Sequence, residues 1–494
     1  MRNTHNFIHR FYGLFLLLGL SLLVLTIESC EDDDDICPAI ECNTGTQNPD
    51  TCDCDCPTGF SGVNCQIEDC PTINCNTGTQ NADTCDCDCP SGFIGVNCEC
   101  PVIECNTGVQ NPATCSCDCP DGFAGVNCEI DESTLKVRKN AKDMTPQEII
   151  DFVNAVLILK ATPSPYSDTL SYYDSFVRFH QMAVEKSKCD GFGVAHTNPA
   201  FPPWHRKLLI LFEDALSEVS GNDIALPYWD WSDQASTDAL FSSAFLGGNG
   251  DPNDEYALND GPFRKDNWQI NLFTILPNYV GLNPHPWIVR NFGATIAGSN
   301  NYPGYAVSLP TISEIDNCLS ITTYDMAPWD CSNGAMPNTS FRFCLEGFLD
   351  GDCAGAQAMH NIGHDWIAGF FEVPVSTIEM LPVSTSNSFC GNIARDTVPN
   401  NVRVGSMEPL DVSPNDPAFF IHHANVDRIW AQWQDMPGNA ENYVPVSGQA
   451  GGYNLNDNMY PYDIPSFQMV PAMMVHGDTP ASMLDYRALG YKYE

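Results

Sequence analysis

Residues 196–213 read HTNPAFPPWHRKLLILFE, and the fold of the C-terminal part of the chain follows from this stretch. His196 lies just before Pro199 in a composition typical of a loop, whereas His205 opens an apolar pattern that indicates a helix through residues 208–219. A third histidine, His180, lies upstream in SFVRFHQMAV, within a helix candidate at residues 171–184. The pattern predicts that two helices and a loop carry three histidines.

A second histidine triplet follows further along the chain. His360 and His364, in HNIGHDW, are four residues apart, so on a helix they project from one face and can share one metal ion. His423 follows a DPAFF segment and is predicted to begin a helix that reads HANVDRIWAQW. Neutral imidazole suits copper, zinc, iron and nickel, so the two triplets predict a pair of borderline-soft ions in one pocket of a helical bundle.

The residues around the second triplet narrow the chemistry. Zinc proteases place a glutamate directly after the first histidine of such a pair, and here Asn361 follows His360, which disfavours a hydrolytic zinc site. His422 is the closest competitor of His423 for the sixth ligand position. The remaining histidines are expected to be non-ligands: His5, His9, His285 and His476.

Length and charge exclude some classes of function. A chain of 494 residues exceeds one ordinary core, so two or more regions are expected. The formal net charge of −42 makes association with phosphate backbones or anionic membrane surfaces unfavourable. We expect no nucleic-acid partner and, if any membrane association, only one through a lipid anchor.

The N-terminus is typical of an export signal. Residues 1–29 combine a basic flank with a short apolar run and are predicted to be a signal peptide, the alternative being an uncleaved membrane anchor. Ser29-Cys30 resembles a bacterial lipobox, so Cys30 is expected to carry a lipid, and residues 30–36 form an acidic tether. This interpretation places the protein at the cell surface or outer membrane, on the secreted or periplasmic side.

Three repeats follow at residues 37–66, 67–99 and 100–129, each with the cysteine spacing Cx4Cx9CxCxCx8C. Eighteen of the chain's 25 cysteines lie here, which indicates an oxidising compartment and disulfides in place of a core. The repeats resemble epidermal growth factor-like modules. Their order of bonding is left open by the spacing, and their role is either a rigid stalk or adhesion to a partner.

After a polar link at residues 130–144 the composition changes completely. Thr145-Pro146-Gln147-Glu148 is typical of a helix start, and the apolar residues that follow have helical spacing. Residues 145–494 are therefore predicted to be one mainly α domain with long loops rich in glycine, proline and asparagine. Six further cysteines are scattered from Cys189 to Cys390, enough for three disulfides, of which Cys344 to Cys353 is the most local option.

Two signatures in this domain resemble the tyrosinase (polyphenol oxidase) family: HTNPAFPPWHRKLLILFE at residues 196–213 and DPAFFIHHANVD at residues 416–427. The resemblance covers roughly residues 145–494. It implies a type 3 dicopper centre in a mainly helical domain, with dioxygen as co-substrate. The ligands implied for the first copper are His180, His196 and His205, and those for the second are His360, His364 and His423.

The resemblance also implies a function and further site residues. The expected reactions are ortho-hydroxylation of monophenols and oxidation of o-diphenols to o-quinones. The expected substrates are small phenols or catechols, with protein tyrosines as a further candidate. Asn361 and Glu346 are expected to hold a water that serves as base, and Asp427 to anchor an imidazole. The alternatives are a catechol oxidase or o-aminophenol oxidase without hydroxylation and, more remotely, an oxygen-binding or adhesion protein. The oligomeric state is left open.

Overall fold

The structure is a computed structural model, and it describes residues 37–494 except residues 83, 191–192, 277–282, 284, 295–307, 330–338, 348–358, 373–401 and 465–477. The predicted signal peptide and the tether with Cys30 lie outside the described residues. The chain divides into two units, residues 1–102 with 111–115 and residues 103–110 with 116–494. No described helix is long and apolar enough to cross a membrane.

The three repeats consist of short antiparallel strand pairs closed by disulfides. In each repeat the first cysteine bonds to the third, the second to the fourth and the fifth to the sixth, which settles the order that the spacing left open. The strands are β1 (Thr46–Gln47), β2 (Cys54–Asp55), β3 (Phe60–Ser61), β4 (Ile67–Glu68), β5 (Thr79–Gln80), β6 (Cys87–Asp88), β7 (Val109–Gln110), β8 (Cys117–Asp118), β9 (Phe123–Ala124) and β10 (Ile130–Asp131). Such small modules bury little apolar surface, so their disulfides supply the stability that a hydrophobic core would otherwise give.

The second unit is mainly helical, as the sequence predicts. Its helices are α1 (Pro146–Ala161), α2 (Tyr172–Asp190), α3 (Phe201–Ser220), α4 (Gln234–Leu240), α5 (Ile312–Leu319), α6 (Phe341–Glu346), α7 (Met359–Ala368) and α8 (Ala418–Gln434). Beyond the repeats, the strands of this unit are β11 (Lys136–Arg138), β12 (Phe370–Glu372), β13 (Val402–Val404) and β14 (Tyr491–Tyr493). Helices α1, α2, α3 and α8 pack around one large apolar core.

Helix starts follow local chemistry. Thr145 caps α1, and a reciprocal pair of hydrogen bonds with Glu148 satisfies two of the backbone N–H groups that a helix start leaves unpaired. Helix α3 begins at Phe201, earlier than the apolar pattern predicts, because Pro202 and Pro203 lie in the first turn, where no N–H is needed. Helix α8 likewise begins at Ala418, so His423 lies in its second turn and does not open the helix.

The prediction of a link at residues 130–144 is corrected by the structure. Lys136–Arg138 pairs in parallel with Tyr491–Tyr493, and the Arg138 side chain is completely buried. Arg138 makes a two-point ion pair with Glu213 on α3 at 3.0 and 3.1 Å. Because a buried guanidinium needs such partners, this segment belongs to the body of the helical unit, which therefore begins before Thr145.

Asp427 lies at the centre of this junction. Its carboxylate accepts hydrogen bonds from Arg206 on α3 (2.5 Å), Arg138 (3.2 Å), Tyr491 (2.6 Å) and Tyr493 (2.5 Å). Burial alone would raise the pKa of this carboxyl, but the Arg206 and Arg138 charges lower the pKa below its usual value. Arginine and tyrosine are therefore the described partners of Asp427, and its expected role as the anchor of an imidazole stays a prediction.

We expect Asp427→Asn to destabilise the protein by about 3–5 kcal/mol at neutral pH, because it leaves two buried arginines without a full counter-charge. The carboxylate stabilises the fold above its unfolded pKa of about 3.9, and this contribution is lost as pH falls through the lower folded pKa. Chemical denaturation measures the loss. Asp435→Asn is the matched control, since Asp435 pairs with Arg487 at the surface and should cost less than about 1 kcal/mol. Equal losses in the two variants would contradict the central role of Asp427.

Candidate metal centre

The six predicted ligands converge in two adjacent groups. The ligand nitrogens of His180, His196 and His205 lie within 4.8 Å of one another. In the second group the Nε2 atom of His360 lies 3.0 Å from that of His364 and 3.2 Å from that of His423. Helices α2, α3, α7 and α8 supply five of the six, and the loop before α3 supplies His196. The sequence prediction of four helices and one loop matches this arrangement.

The two groups share one pocket. The rings of His205 and His423 are stacked with their centroids 4.3 Å apart and their planes 11° apart, so the first group directly contacts the second. All six side chains are at most 5 % exposed. Two ions held by these groups would therefore be neighbours in a site from which most water is excluded.

Backbone carbonyl groups orient the imidazoles. The Nδ1 atoms of four ligands contact main-chain oxygens: His180 to Asp411 at 3.3 Å, His205 to Phe201 at 2.8 Å, His360 to Glu346 at 3.2 Å and His364 to Met407 at 2.9 Å. A proton on Nδ1 that bonds to a carbonyl leaves the Nε2 lone pair free to bind a metal. The buried Nε2 atoms of His180, His196 and His205 have no hydrogen-bond partner among the described protein atoms, as unoccupied ligand atoms would.

Burial keeps these rings neutral. It lowers the pKa of His180 to about 3 and that of His364 to about 4, and it lowers the pKa of the other four ligands well below the usual value. Neutral imidazole is the form that binds copper or zinc. The site is thus in its ligand form throughout the physiological pH range.

The loop that carries His196 is held in a strained conformation. Thr197 has a positive φ of 56°, and its backbone N–H donates to Glu346 Oε1 at 2.6 Å. The His196 carbonyl accepts from Thr197 Oγ1 and Asn198 Nδ2, each at 2.8 Å. A Cβ atom at Gly193 would collide with the same carbonyl, so only glycine fits there. These contacts direct the loop ligand toward the helices.

Glu346 links the two groups. Its backbone carbonyl accepts from His360, its Oε1 accepts from the His196 loop, and its Oε2 accepts from Arg342 Nη1 at 2.6 Å. Burial raises the pKa of Glu346 to about 7, although Arg342 and the Thr197 N–H act in the opposite direction. Arg342 precedes Glu346 by four residues on α6, a spacing that is compatible with an ion pair on a helix. The sequence reasoning missed this pair.

Asn361 follows His360 on α7 and is half-buried. No direct hydrogen bond joins Asn361 to Glu346 in the described part of the chain, so their joint role in holding a water stays a prediction.

His422 also comes within reach of the second group, but its hydrogen bonding differs. Trp231 Nε1 donates to His422 Nδ1 at 3.0 Å, which places the proton of the neutral ring on Nε2 and removes that lone pair from metal binding. The ring instead stacks on His360 and fills the space above Gly363, where a Cβ would collide with it. The structure therefore supports His423 as the ligand and His422 as a packing residue.

Comparison with known proteins identifies relatives of this arrangement. Residues 170–436 match the family model described as the common central domain of tyrosinase. The tyrosinase of Streptomyces antibioticus is 31% identical over 355 residues, covering 71% of this chain and 97% of that protein. Grixazone synthase of Streptomyces griseus subsp. griseus is 31% identical over 373 residues, covering 72% of this chain and 99% of that protein. A polyphenol oxidase structure from Thermothelomyces thermophila gives a TM-score of 0.43 at 21% identity, over 66% of this chain and 78% of that chain.

The two neighbouring histidines provide a test of the ligand assignment. We expect His423→Gln to bind one copper ion fewer per chain than the unaltered protein, because it removes a ligand from one group of three. His422→Gln should bind the same number, since its Nε2 carries a proton. Copper content after dialysis, measured on folded protein by elemental analysis, distinguishes them. A loss of copper in the His422 variant alone would reverse the assignment.

The lowered histidine pKa values make the copper-free protein sensitive to mild acid. In the unfolded chain histidine titrates near pH 6.5, so below that pH the unfolded state binds protons that the folded state does not. Each such histidine removes up to about 1.4 kcal/mol of stability per pH unit. Burial raises the pKa of Glu346 to about 7 and that of Asp411 to about 6, and these carboxyls oppose the trend in smaller number.

The free energy of unfolding of copper-free protein is therefore expected to fall between pH 6.5 and pH 5, which denaturation at several pH values measures. In His196→Asn the free energy of unfolding should fall less steeply with decreasing pH, by about the 1.4 kcal/mol per pH unit that one proton contributes. A stability that is constant over this range would show that the rings are not buried as neutral groups.

Proposed function

Because this chain belongs to the tyrosinase family, we propose that it uses dioxygen to hydroxylate monophenols at the ortho position and to oxidise o-diphenols to o-quinones. The observation that carries the proposal is the contact between two groups of three buried, neutral imidazoles. The family binds two copper ions through histidine, and both groups fit such an ion by their donor atoms and their oriented lone pairs.

The six histidines would bind two copper ions, three to each ion. His180, His196 and His205 would hold one copper, and His360, His364 and His423 the other. When bound, the copper pair supplies the two-electron reduction of dioxygen. The protein holds the six rings neutral and oriented before any metal arrives, so little reorganisation is needed during the reaction.

Hydroxylation of a monophenol requires a base for the phenol proton, and we assign this step to Glu346 with Asn361. A carboxyl whose pKa is raised to about 7 is suited to take up a proton near neutral pH. Both Glu346 oxygens already accept one hydrogen bond, but an ionised carboxylate oxygen has a second lone pair for a water. The Asn361 side chain, next to His360, would hold the same water.

Oxidation of o-diphenols alone is the main alternative. At 31% identity the similar proteins include one called a tyrosinase and one called a grixazone synthase, so similarity at this level does not fix the substrate. A catechol oxidase or an o-aminophenol oxidase would keep the same six ligands and differ in the proton step. The proposed substrates are phenolic or catecholic small molecules, with protein tyrosines as a further possibility to test.

We further propose that the enzyme acts outside the cytoplasm, tethered through Cys30. Support comes from the repeats, in which all eighteen cysteines form disulfides, since such bonds persist in oxidising compartments. The proposed lipid anchor rests on the sequence around Cys30.

Oxygen consumption by the copper-loaded full chain tests the oxidase activity. We expect uptake with catechol and with L-DOPA, accompanied by the absorbance of o-quinone products. His360→Ala should abolish both signals, because it removes a ligand from the second group. His285→Ala is the matched control: this histidine pairs with Glu255 away from both groups and its loss should leave the rates unchanged. A protein that binds two copper ions but oxidises neither diphenol would contradict the proposal.

Separate rates on tyramine and on its catechol test the proton step. Asn361→Ala and Glu346→Gln should each lower monophenol hydroxylation by roughly 10²-fold or more, a typical general-base contribution, and change diphenol oxidation only a few-fold. Asn154→Ala, at an exposed position of α1, serves as the control. If both variants lose the two activities in parallel, Glu346 and Asn361 support the centre structurally and do not act as the base.

A further inference from the structure

Two cysteines of the helical unit face each other in its core. Cys318 lies in the last turn of α5 and Cys344 in the middle of α6, and the two helices pack together. The side chains are 0 % and 1 % exposed and belong to the same apolar cluster. The Cys318 Sγ lies 3.8 Å from the carbonyl oxygen of Phe341 at the start of α6, three residues before Cys344. Both are thiols in this structure.

We propose that Cys318 and Cys344 form a disulfide in the native protein, which joins α5 to α6. The Cys318 sulfur reaches the turn of α6 that carries Cys344, and both side chains are buried in the same cluster. A small rotation of the side chains can therefore bring the two sulfurs to the S–S bond length of about 2.05 Å. The same chain closes nine disulfides in its repeats, so it folds where thiols are oxidised. Cys353 lies outside the described residues, so the expected pairing of Cys344 with Cys353 stays a prediction from the sequence, and the two pairings compete for the same sulfur.

The reaction balances by exchange with an external disulfide, such as that of a dithiol oxidase. One cysteine thiolate attacks the oxidant's disulfide and releases one oxidant thiol. The second cysteine then displaces the mixed disulfide, so the two cysteines lose two protons and two electrons and the oxidant leaves as a dithiol. Burial raises the pKa of the Cys318 thiol well above its usual value, which leaves little thiolate in the folded protein. The bond therefore forms during folding, before α5 and α6 bury the two sulfurs.

The proposed disulfide would hold in place helix α6, which contacts the metal centre. Helix α6 carries Arg342 and Glu346, and Arg342 makes a two-point ion pair with Asp325, in the segment after α5, at 2.8 and 3.1 Å. The disulfide would add a second, covalent tie between the same two segments. Because Glu346 contacts both His360 and the His196 loop, fixing α6 also fixes ligands of both groups.

Mass mapping of the full chain, expressed with export to an oxidising compartment, tests the bond directly. The protein is denatured in an alkylating reagent and digested without reduction. We expect a peptide pair that links Cys318 to Cys344 and disappears on reduction. Alkylation of both cysteines, or a link from Cys344 to Cys353 or to any other cysteine, would overturn the proposal.

Thermal unfolding of copper-free variants tests the tie between the helices. Either single change, Cys318→Ala or Cys344→Ala, breaks the same bond, so each should lower the midpoint almost as much as the double variant. Two thiols without a bond should instead give smaller losses, with each single variant losing clearly less than the double variant, and that result would count against the proposal. Ser320→Ala, at the exposed end of α5, is the control and should leave the midpoint unchanged. Because neither measurement uses copper or substrate, its outcome is independent of the proposed oxidase function.

Discussion

The buried carboxylate of Asp427 is the interaction on which the rest of the helical unit depends. Asp427 follows His423 by one turn of α8, and Arg206 directly follows His205 on α3, so the 2.5 Å contact between their side chains holds together the two helices whose ligands stack in the metal centre. Tyr491 and Tyr493 donate to the other oxygen of this carboxylate, Oδ2, and so join the C-terminal strand to the same side chain. If Asp427 or its arginine partners were left unpaired at this buried position, the fold would lose several kcal/mol. Helices α3 and α8 and the C-terminal strand therefore have to pack together at the same time.

In the metal centre beside that junction, the exclusion of water sets the protonation states of the side chains. Burial lowers the pKa of the histidines and raises the pKa of Glu346, and both effects come from the same loss of solvation. The result is a set of neutral ligands beside a carboxyl that titrates near neutral pH. Backbone carbonyls, such as that of Phe201 on α3 and that of Met407 in the turn after β13, determine which ring nitrogen carries the proton. Orientation and protonation of the site are therefore properties of the fold as well as of the histidines.

Local sequence predicted some elements well and others only approximately. The start of α1 was predicted because Thr145, Pro146 and Glu148 satisfy the helix end by themselves, without any tertiary contact. The apolar spacing predicts the starts of α3 and α8 too late, because it does not detect a first turn that contains prolines, as in α3, or one that lies within the DPAFF segment, as in α8. The segment at residues 130–144 was interpreted as a link because its polar composition hides Arg138, whose burial depends on partners far along the chain.

By itself, the sequence determined the six ligand histidines, the mainly helical class and the cysteine spacing of the repeats, because each of these depends on short-range periodicity or on motifs of contiguous residues. Only the tertiary structure shows which groups surround Asp427, His422 and Glu346. Asp427 faces arginines, His422 accepts from Trp231, and Glu346 accepts from the backbone of Thr197. The physical reason is that a side chain's protonation and hydrogen-bond partners depend on which distant groups share its buried environment, and that is known only once the helices have packed.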